Sequence, residues 1–386
     1  MRIAHISTKF NRTSETFIYN LILGLEYAGT ENHVLTTSRV NTSERPFVRV
    51  RLLPLSLHQK AAFVIKKHCL GLYHFPLPPK LTRKTLQDIR PDVILAHFGG
   101  TGAAITPVAQ DLGIPLVVVF HAFDLFMRQF RRETYQALWQ SGAQAVAVSE
   151  HGKQRLLELG CPADRLRIIH CGVDPSRFAW ADRPTPRTSV FHLVSIGRLV
   201  EKKGFDDLLR AIARVRLRLT HPIRVDIFGT GPLKHHLVKL ARTLGVEDSV
   251  TFKGSVACED VPRLLREYDA FVLPSRIALN GDTEGIPITI LEAQATGLPV
   301  IASLHAGIPE GIPPANREWL VREGDPQDLA DKLFSLATHP ERWPSISRSG
   351  KDWITSHFSL NNEVNAYLRL FKELSSVTKP GPKGMA

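Results

Sequence analysis

Short apolar runs alternate with amphipathic stretches along almost the whole chain. Residues 2–7 (RIAHIS) read as a strand, TKFNRTSETF as a polar loop, and FIYNLILGLEYAG as a helix ended by Gly29, before the strand NHVLTTS. This β–loop–α–β opening predicts a parallel, doubly wound sheet. PDVILAHFGGTGAA, IPLVVVFHAFD and AQAVAVSE are each an apolar run closing on polar or glycine residues, and RLRIIHCGVD ends the series. Residues 174–189 (DPSRFAWADRPTPRTS), rich in proline and polar residues, read as a linker. A second series follows: strand FHLVSIGRLV, helix GFDDLLRAIARVRLRL, strand IRVDIFGTGP, helix LKHHLVKLARTLG, strand VTFKGSV, helix VPRLLREY and strand DAFVLPS. Helices around DLADKLFSLATH and NNEVNAYLRLFKEL lead to a polar tail. The pattern is two similar βα arrays, each long enough for its own core. Their strand ends aim at a shared cleft, the edge where open α/β sheets bind ligands.

The stretch 280–302 (NGDTEGIPITILEAQATGLPVIA) carries Glu284 and Glu292 with seven residues between them. Pro287 stands where a helix begins, ITILEAQAT reads as a short buried helix with Gly297 just past its end, and LPVIAS as a strand. Glu284 therefore lies on a loop faced by a helix N-terminus, and Glu292 one to two turns into the helix. Free N–H groups beside two carboxylates suit a ligand with a phosphate and polyol parts. Two glutamates on an ordinary exposed loop and helix would have the same spacing. In GRLVEKKG, Arg198 leaves a strand end and Lys203 follows five residues later. Such a pair suits a diphosphate, although solvated turn charges would read alike. Gly229 and Gly231 mark a turn a ligand can approach closely, and Ser255–Val256 offers backbone groups at another strand end.

Composition narrows the partners. The 386 residues are 43% hydrophobic and 22% charged, ordinary for a soluble globular protein. No run has the roughly 18–20 apolar residues of a membrane span, and MRIAHIST lacks the apolar core of a signal peptide, so the expected location is the cytoplasm. Cys69, Cys161, Cys171 and Cys258 form no zinc spacing and read as reduced thiols. The net charge of +12 is uneven: residues 39–90 hold eleven basic and two acidic residues. Such a tract fits a polyanion, either an anionic membrane or nucleic acid. Residues 57–73 can form a helix with Ala61, Val64, Ile65, Cys69 and Leu72 on one face and Lys60, Lys66 and Lys67 away from it. That helix either packs on its own domain or lies on an anionic membrane surface. No nucleic-acid recognition motif is present. The dinucleotide fingerprint, the Walker phosphate loop and the hydrolase nucleophile elbow are also missing. Asp282 and Glu284 form a close acidic pair with the spacing to chelate a divalent ion.

With these residues laid out, the chain resembles retaining glycosyltransferases of the GT-B fold, in the large bacterial group called family 4. The resemblance rests on the ordered set GRLVEKKGFDDLLRAI, IFGTGPL, FKGSV, AFVLPS, EGIPITILEAQATGLPVIAS and HAGIPEGI. In the first half, SETFI, VVVFHAFD and VSEHGKQRLLELGCPADRLRIIHCGVDPSRF are similar to enzymes of colanic acid and other exopolysaccharides. It implies two Rossmann-like domains facing a central cleft: an acceptor-binding domain at 1–178 and a donor-binding domain at 190–355. A C-terminal helix within 356–386 would pack back on the first, followed by a flexible tail. It implies that Arg198 and Lys203 bind the donor diphosphate, Glu284 the donor sugar and Glu292 the ribose. The backbone of Gly285, Ile286, Ile288 and Thr289 would cradle sugar and phosphate, with Gly229, Gly231, Ser255 and Val256 near the nucleotide. His121 would face the sugar, with Glu15, Thr16 and Asp124 toward the acceptor. The donor would be a UDP- or GDP-sugar, the acceptor a lipid-linked saccharide, and no cofactor or metal would be needed. The basic tract 39–90 would then hold the enzyme on the inner face of the cytoplasmic membrane. The sequence departs from the family pattern at its first loop, which lacks Gly-Gly, at HAFD and at NREWLV. A nucleotide-sugar epimerase of the same architecture and a non-catalytic basic binding protein remain as alternatives, though the first half supplies no acid/base carboxylate pair for an epimerase.

Overall fold

The alternation along each strand explains how it is buried. In a computed structural model, which describes residues 1–61, 76–127, 129–178, 180 and 189–378, strand β4 (Val93–His97) sends Val93 and Leu95 to one side and Ile94 and Ala96 to the other. Both sides are apolar because helices cover both faces, as parallel sheets require. β1 (Arg2–Phe10), β2 (Glu31–Arg39) and β3 (Val50–Leu52) precede it, and β5 (Leu116–Phe120), β6 (Gln144–Ala147) and β7 (Leu166–Ile168) follow. All pair in parallel in the order β3-β2-β1-β4-β5-β6-β7. β1 is longer than the sequence reading predicts. Polar Thr8 and Lys9 stay in the strand because Lys9 and Phe10 remain in register with Ser38 and Arg39.

The second sheet repeats the scheme. β8 (Phe191–Ile196), β9 (Ile223–Phe228), β10 (Val250–Gly254), β11 (Ala270–Leu273), β12 (Val300–Ser303) and β13 (Leu320–Val321) run parallel in the order β10-β9-β8-β11-β12-β13. The strand order thus reverses beside β1 in one sheet and beside β8 in the other. In doubly wound sheets that is where ligands bind.

The chain divides into two units. One is Met1–Gly172 with the described part of the segment from Leu360 onward, and the other is Val173–Ser359. Residues 173–178, read from sequence as part of the first domain, pack in the second, where Val173 and Phe178 join the core. Helix α1 (Thr16–Tyr27) covers the first sheet together with the C-terminal helix Leu360–Thr378. In the latter, Val364, Tyr367 and Phe371 recur at helical spacing and pack with Leu21 and Leu25 of α1. The helix Trp343–His357 went unread in the sequence, since Pro344 and Gly350 interrupt its pattern, yet it buries Trp343, Ile346 and Ile354. Residues 57–61 of the basic amphipathic stretch are helical, while 62–73 lie outside the described residues, as do most of the linker and the tail. Among the described residues no helix is long and apolar enough to cross a membrane, and Cys161, Cys171 and Cys258 are not in disulfides.

Candidate functional site

In the second unit the loops leaving β8 and β11 meet where the strand order reverses. After β8 the chain turns through Gly197–Leu199 and makes a single 3-10 turn, Glu201–Lys203. Gly204 then adopts φ +64°, and a Cβ there would lie 1.8 Å from the Pro274 carbonyl oxygen. Glycine lets this turn sit against the β11 exit, which carries two lysines into the acidic loop. Lys203 Nζ lies 2.9 Å from Glu284 Oε1. Lys202 Nζ lies 3.0 Å from Asp282 Oδ1 and 3.9 Å from Glu284 Oε2, and donates to the Thr283 carbonyl at 2.8 Å. Lys202, Lys203, Thr283 and Glu284 are all buried. Burial pushes the Glu284 carboxyl up, but Lys203 and Lys202 outweigh it and hold the acid at about 2. Burial lowers Lys203, Glu284 pulls it back up, and the charges of Lys202 and Arg198 press it down, leaving it below the usual lysine value.

A second contact supports the loop from behind. Thr283 Oγ1 is 2.6 Å from His305 Nε2, and His305 Nδ1 is 2.8 Å from Glu323 Oε2. Gly285 and Ile286 lead from this loop to Pro287, which caps helix Ile288–Ala295. Ile288 and Thr289 form its first turn, where backbone N–H groups lack intrahelical acceptors. Glu292 sits on the same helix. Burial pushes its carboxyl up to about 7, against the pull of Arg177.

The other residues expected on the donor side divide. Arg198 is exposed on the turn after β8, and its charge reaches Lys203. Gly229 has φ +142°, and a Cβ on it would lie 1.8 Å from the Gly197 carbonyl oxygen; one on Gly231 would lie 2.4 Å from that of Leu199. The turn 229–231 is therefore laid on the turn 197–199, joined by Leu199 N–H to Thr230 O at 2.9 Å and Leu233 N–H to Leu199 O at 3.1 Å. Close approach of turn to turn requires glycine at both positions. Ser255 is exposed beyond β10, and Val256 packs partly against the core.

The first unit gathers its predicted residues at its own reversal point. His121 follows β5 and lies between the rings of Phe17 and Phe98, at centroid distances of 4.6 and 4.8 Å. Phe98 holds φ +75°, a costly value for a bulky side chain. Burial lowers the His121 imidazole to about 3, so it is neutral at physiological pH. The His121 backbone N–H donates to Asp124 Oδ2 at 3.2 Å. Burial raises the Asp124 carboxyl to about 7; backbone N–H groups of Gly99 and His121 oppose this, and the charge of Glu15 adds to it. His121 Nε2 and Asp124 Oδ1 are buried with no hydrogen-bond partner among the described residues. Glu15 stands at the N-cap position of α1, just before Thr16, and pairs with Arg12 at 3.2 Å.

Sequence reasoning missed Lys202, His305, Glu323, Phe17 and Phe98. The doubled lysine of EKKG was the only local signal, and nothing in it says that both ammonium groups turn inward. His305 and Glu323 reach the loop through the adjacency of β12 and β13, which sequence spacing does not show. Among the described residues no group of three His, Cys, Asp or Glu could hold a metal ion. Asp282 and Glu284, the acidic pair of this loop, are engaged by lysines.

Two parallel Rossmann-like units, each with polar groups collected at its strand-order reversal, define the GT-B class of architecture. Comparisons with known proteins agree. The Glycosyl transferases group 1 family matches residues 190–339, and the Glycosyltransferase Family 4 matches residues 14–177. WcaL of Escherichia coli strain K12, named for colanic acid biosynthesis, is 29% identical over 90% of this chain and 94% of its own. A GDP-mannose-dependent alpha-(1-6)-phosphatidylinositol monomannoside mannosyltransferase of Mycobacterium tuberculosis is 35% identical over 69% of this chain and 72% of its own. The crystal structure of Anabaena HepE with UDP-glucose superposes with a TM-score of 0.77 at 16% identity, covering 97% of this chain and all of that one. The chain belongs to the group 1, family 4 glycosyltransferases.

Proposed function

We propose that this protein moves a sugar from a nucleotide-diphosphate sugar to a saccharide acceptor in exopolysaccharide biosynthesis, with retention of anomeric configuration and without a metal. The observation that carries the reading is the buried Lys203–Glu284 pair beside the N-terminus of helix Ile288–Ala295. Transfer needs stabilisation of the charge that develops on the departing diphosphate. Arg198, Lys203 and the free N–H groups of Ile288 and Thr289 supply it, with Lys203 exchanging Glu284 for phosphate. Glu284 then accepts hydroxyls of the donor sugar, and Glu292 those of the ribose. On the acceptor side, neutral His121 offers Nε2 and Asp124 offers Oδ1, with Glu15 and Thr16 beside them. Names of relatives support the substrate class: WcaL and the amylovoran glycosyltransferase AmsK of Erwinia amylovora carry exopolysaccharide names, and HepE was solved with UDP-glucose. Incubation with UDP- and GDP-sugars and lipid-linked saccharides should release nucleoside diphosphate and give an α-configured product from an α-linked donor. The same rate should persist after chelation with EDTA. Product of inverted configuration, or loss of turnover on chelation, would overturn the corresponding part.

We propose further that the acceptor is lipid-linked, which would put the reaction at a membrane; the described part of the basic tract fits an anionic surface. Val48, Leu52 and Leu57 are exposed, as are Arg51, Lys60, Lys80 and Lys84. Each basic residue near such a surface contributes about 1 kcal/mol. The protein should float with anionic liposomes at low salt and not with neutral ones; absence of flotation on both would sink the membrane role.

A further inference from the structure

The two lysines of the turn after β8 do different work. Lys203 Nζ has one carboxylate, Glu284. Lys202 Nζ is committed to the loop itself, through the Asp282 carboxylate and the Thr283 backbone carbonyl. The Lys202 carbonyl in turn accepts from Arg276 N–H at 2.9 Å, so both ends of the loop 276–284 are tied to this one residue. From the other side, Thr283 is held by His305, which leans on Glu323, and Glu323 Oε1 accepts the Ile277 N–H at 2.7 Å. The loop has few apolar anchors of its own: Ile277 and Leu279 point to solvent. Its shape thus depends on polar ties, and Lys202 supplies two of those next to Glu284, at Asp282 and Thr283.

We propose that Lys202 is a positioning residue that fixes the Asp282–Glu284 loop so that Glu284 stays aimed at the donor sugar once Lys203 turns to the diphosphate. This rests on the donor site proposed above. When phosphate draws Lys203 away, Glu284 would otherwise be a buried carboxylate without a counter-charge, a costly state. Lys202, 3.9 Å from Glu284 Oε2, stays in place and keeps that carboxylate ionised. Its contribution therefore falls on recognition of the sugar and on turnover, not on the nucleotide.

The test compares Lys202→Met with wild type by calorimetry, using UDP, GDP, UDP-glucose and GDP-mannose, and by kinetics with the nucleotide sugar that wild type accepts. In Lys202→Met the affinity for the nucleoside diphosphate should stay within about threefold of wild type. The extra affinity that the sugar confers should fall about tenfold, as for a lost charge-assisted contact, and kcat should fall with it. A tenfold loss on the diphosphate alone, with the sugar increment intact, would make Lys202 a phosphate ligand and overturn the proposal. Equal loss on every ligand with a lowered melting temperature would make it a general structural residue, and unchanged values would make it idle. Should Lys202→Met fail to fold, Asp282→Asn, which keeps the lysine charge and loosens one tie, is read by the same split. Wild type binding none of the four ligands would overturn the donor site itself, whereas wild-type binding with an unaltered variant overturns only the role of Lys202.

Discussion

Lys203→Met is expected to lower kcat/KM for the nucleotide sugar about 100- to 1000-fold, the usual loss of about 3–4 kcal/mol when one preorganised contact to developing charge is removed. The same change strips Glu284 of its nearest cation. Breaking a buried pair from one side costs about 3–5 kcal/mol of stability, and Lys202 at 3.9 Å offsets part of it here. The pH dependence has a definite sign. Glu284 lies at about 2 in the folded chain, below its ordinary 4.5, so its ionisation stabilises the fold above pH 4.5 and that contribution is lost as the pH falls toward 2. Lys203 is itself lowered, so the pair's benefit resides on the acid. The stability gap between wild type and Lys203→Met should therefore be widest near neutral pH and close on acidification. The double variant Lys203→Met with Glu284→Gln separates the two effects. It should regain much of the lost stability, since no buried charge is left unpaired, while remaining as inactive as the single variant. Chemical denaturation at pH 7 and 4 alongside turnover assays checks this. Lys203→Met within threefold of wild-type activity, or a double variant whose stability losses simply add, would refute the assignment.

How much of this pair the sequence shows depends on which physical constraint is local. Alternation of apolar residues is local, so both sheets and their parallel sense follow from it, and Pro287 and Gly297 bound the helix that carries Glu292. Glu284 on a loop beside that helix is also legible. Its partner is not. Lys203 and Glu284 are distant in sequence and meet because β8 pairs with β11, and because Gly204 lets one turn press on Pro274. The direction of a lysine in a 3-10 turn cannot be read from composition, so Lys203 resembles a solvated turn charge until the loop contact is seen. The neutral state of His121 comes from burial between two aromatic rings, one brought by the strained Phe98. The periodicity of the C-terminal helix marks it as amphipathic, while the face it covers emerges only from the packing of Val364 and Phe371 beside α1.

Gly229→Ala should do its damage through this same layered construction. At φ +142° an L side chain is strained by about 1–3 kcal/mol. Its Cβ would also lie 1.8 Å from the Gly197 carbonyl oxygen, a backbone atom that cannot rotate away. Overpacking of this kind costs a further 1–3 kcal/mol or so. The turn 197–199 has little room to yield, because Gly197 N–H is bonded to Phe228 O at 2.9 Å and Leu199 N–H to Thr230 O. A total loss of about 2–6 kcal/mol is therefore expected, measurable by chemical denaturation. Whatever yields will be the turn that bears Arg198, so affinity for a nucleoside diphosphate should fall with stability in the folded fraction. The neighbouring Gly254 supplies the control. It also has positive φ, +77°, but a Cβ there meets nothing within 4 Å. Gly254→Ala should show the backbone strain without the collision, losing less stability and leaving diphosphate affinity unchanged. Equal losses in the two variants would mean that the stacked turns do not hold Arg198, and that the close approach at Gly229 is relieved at no cost to the site.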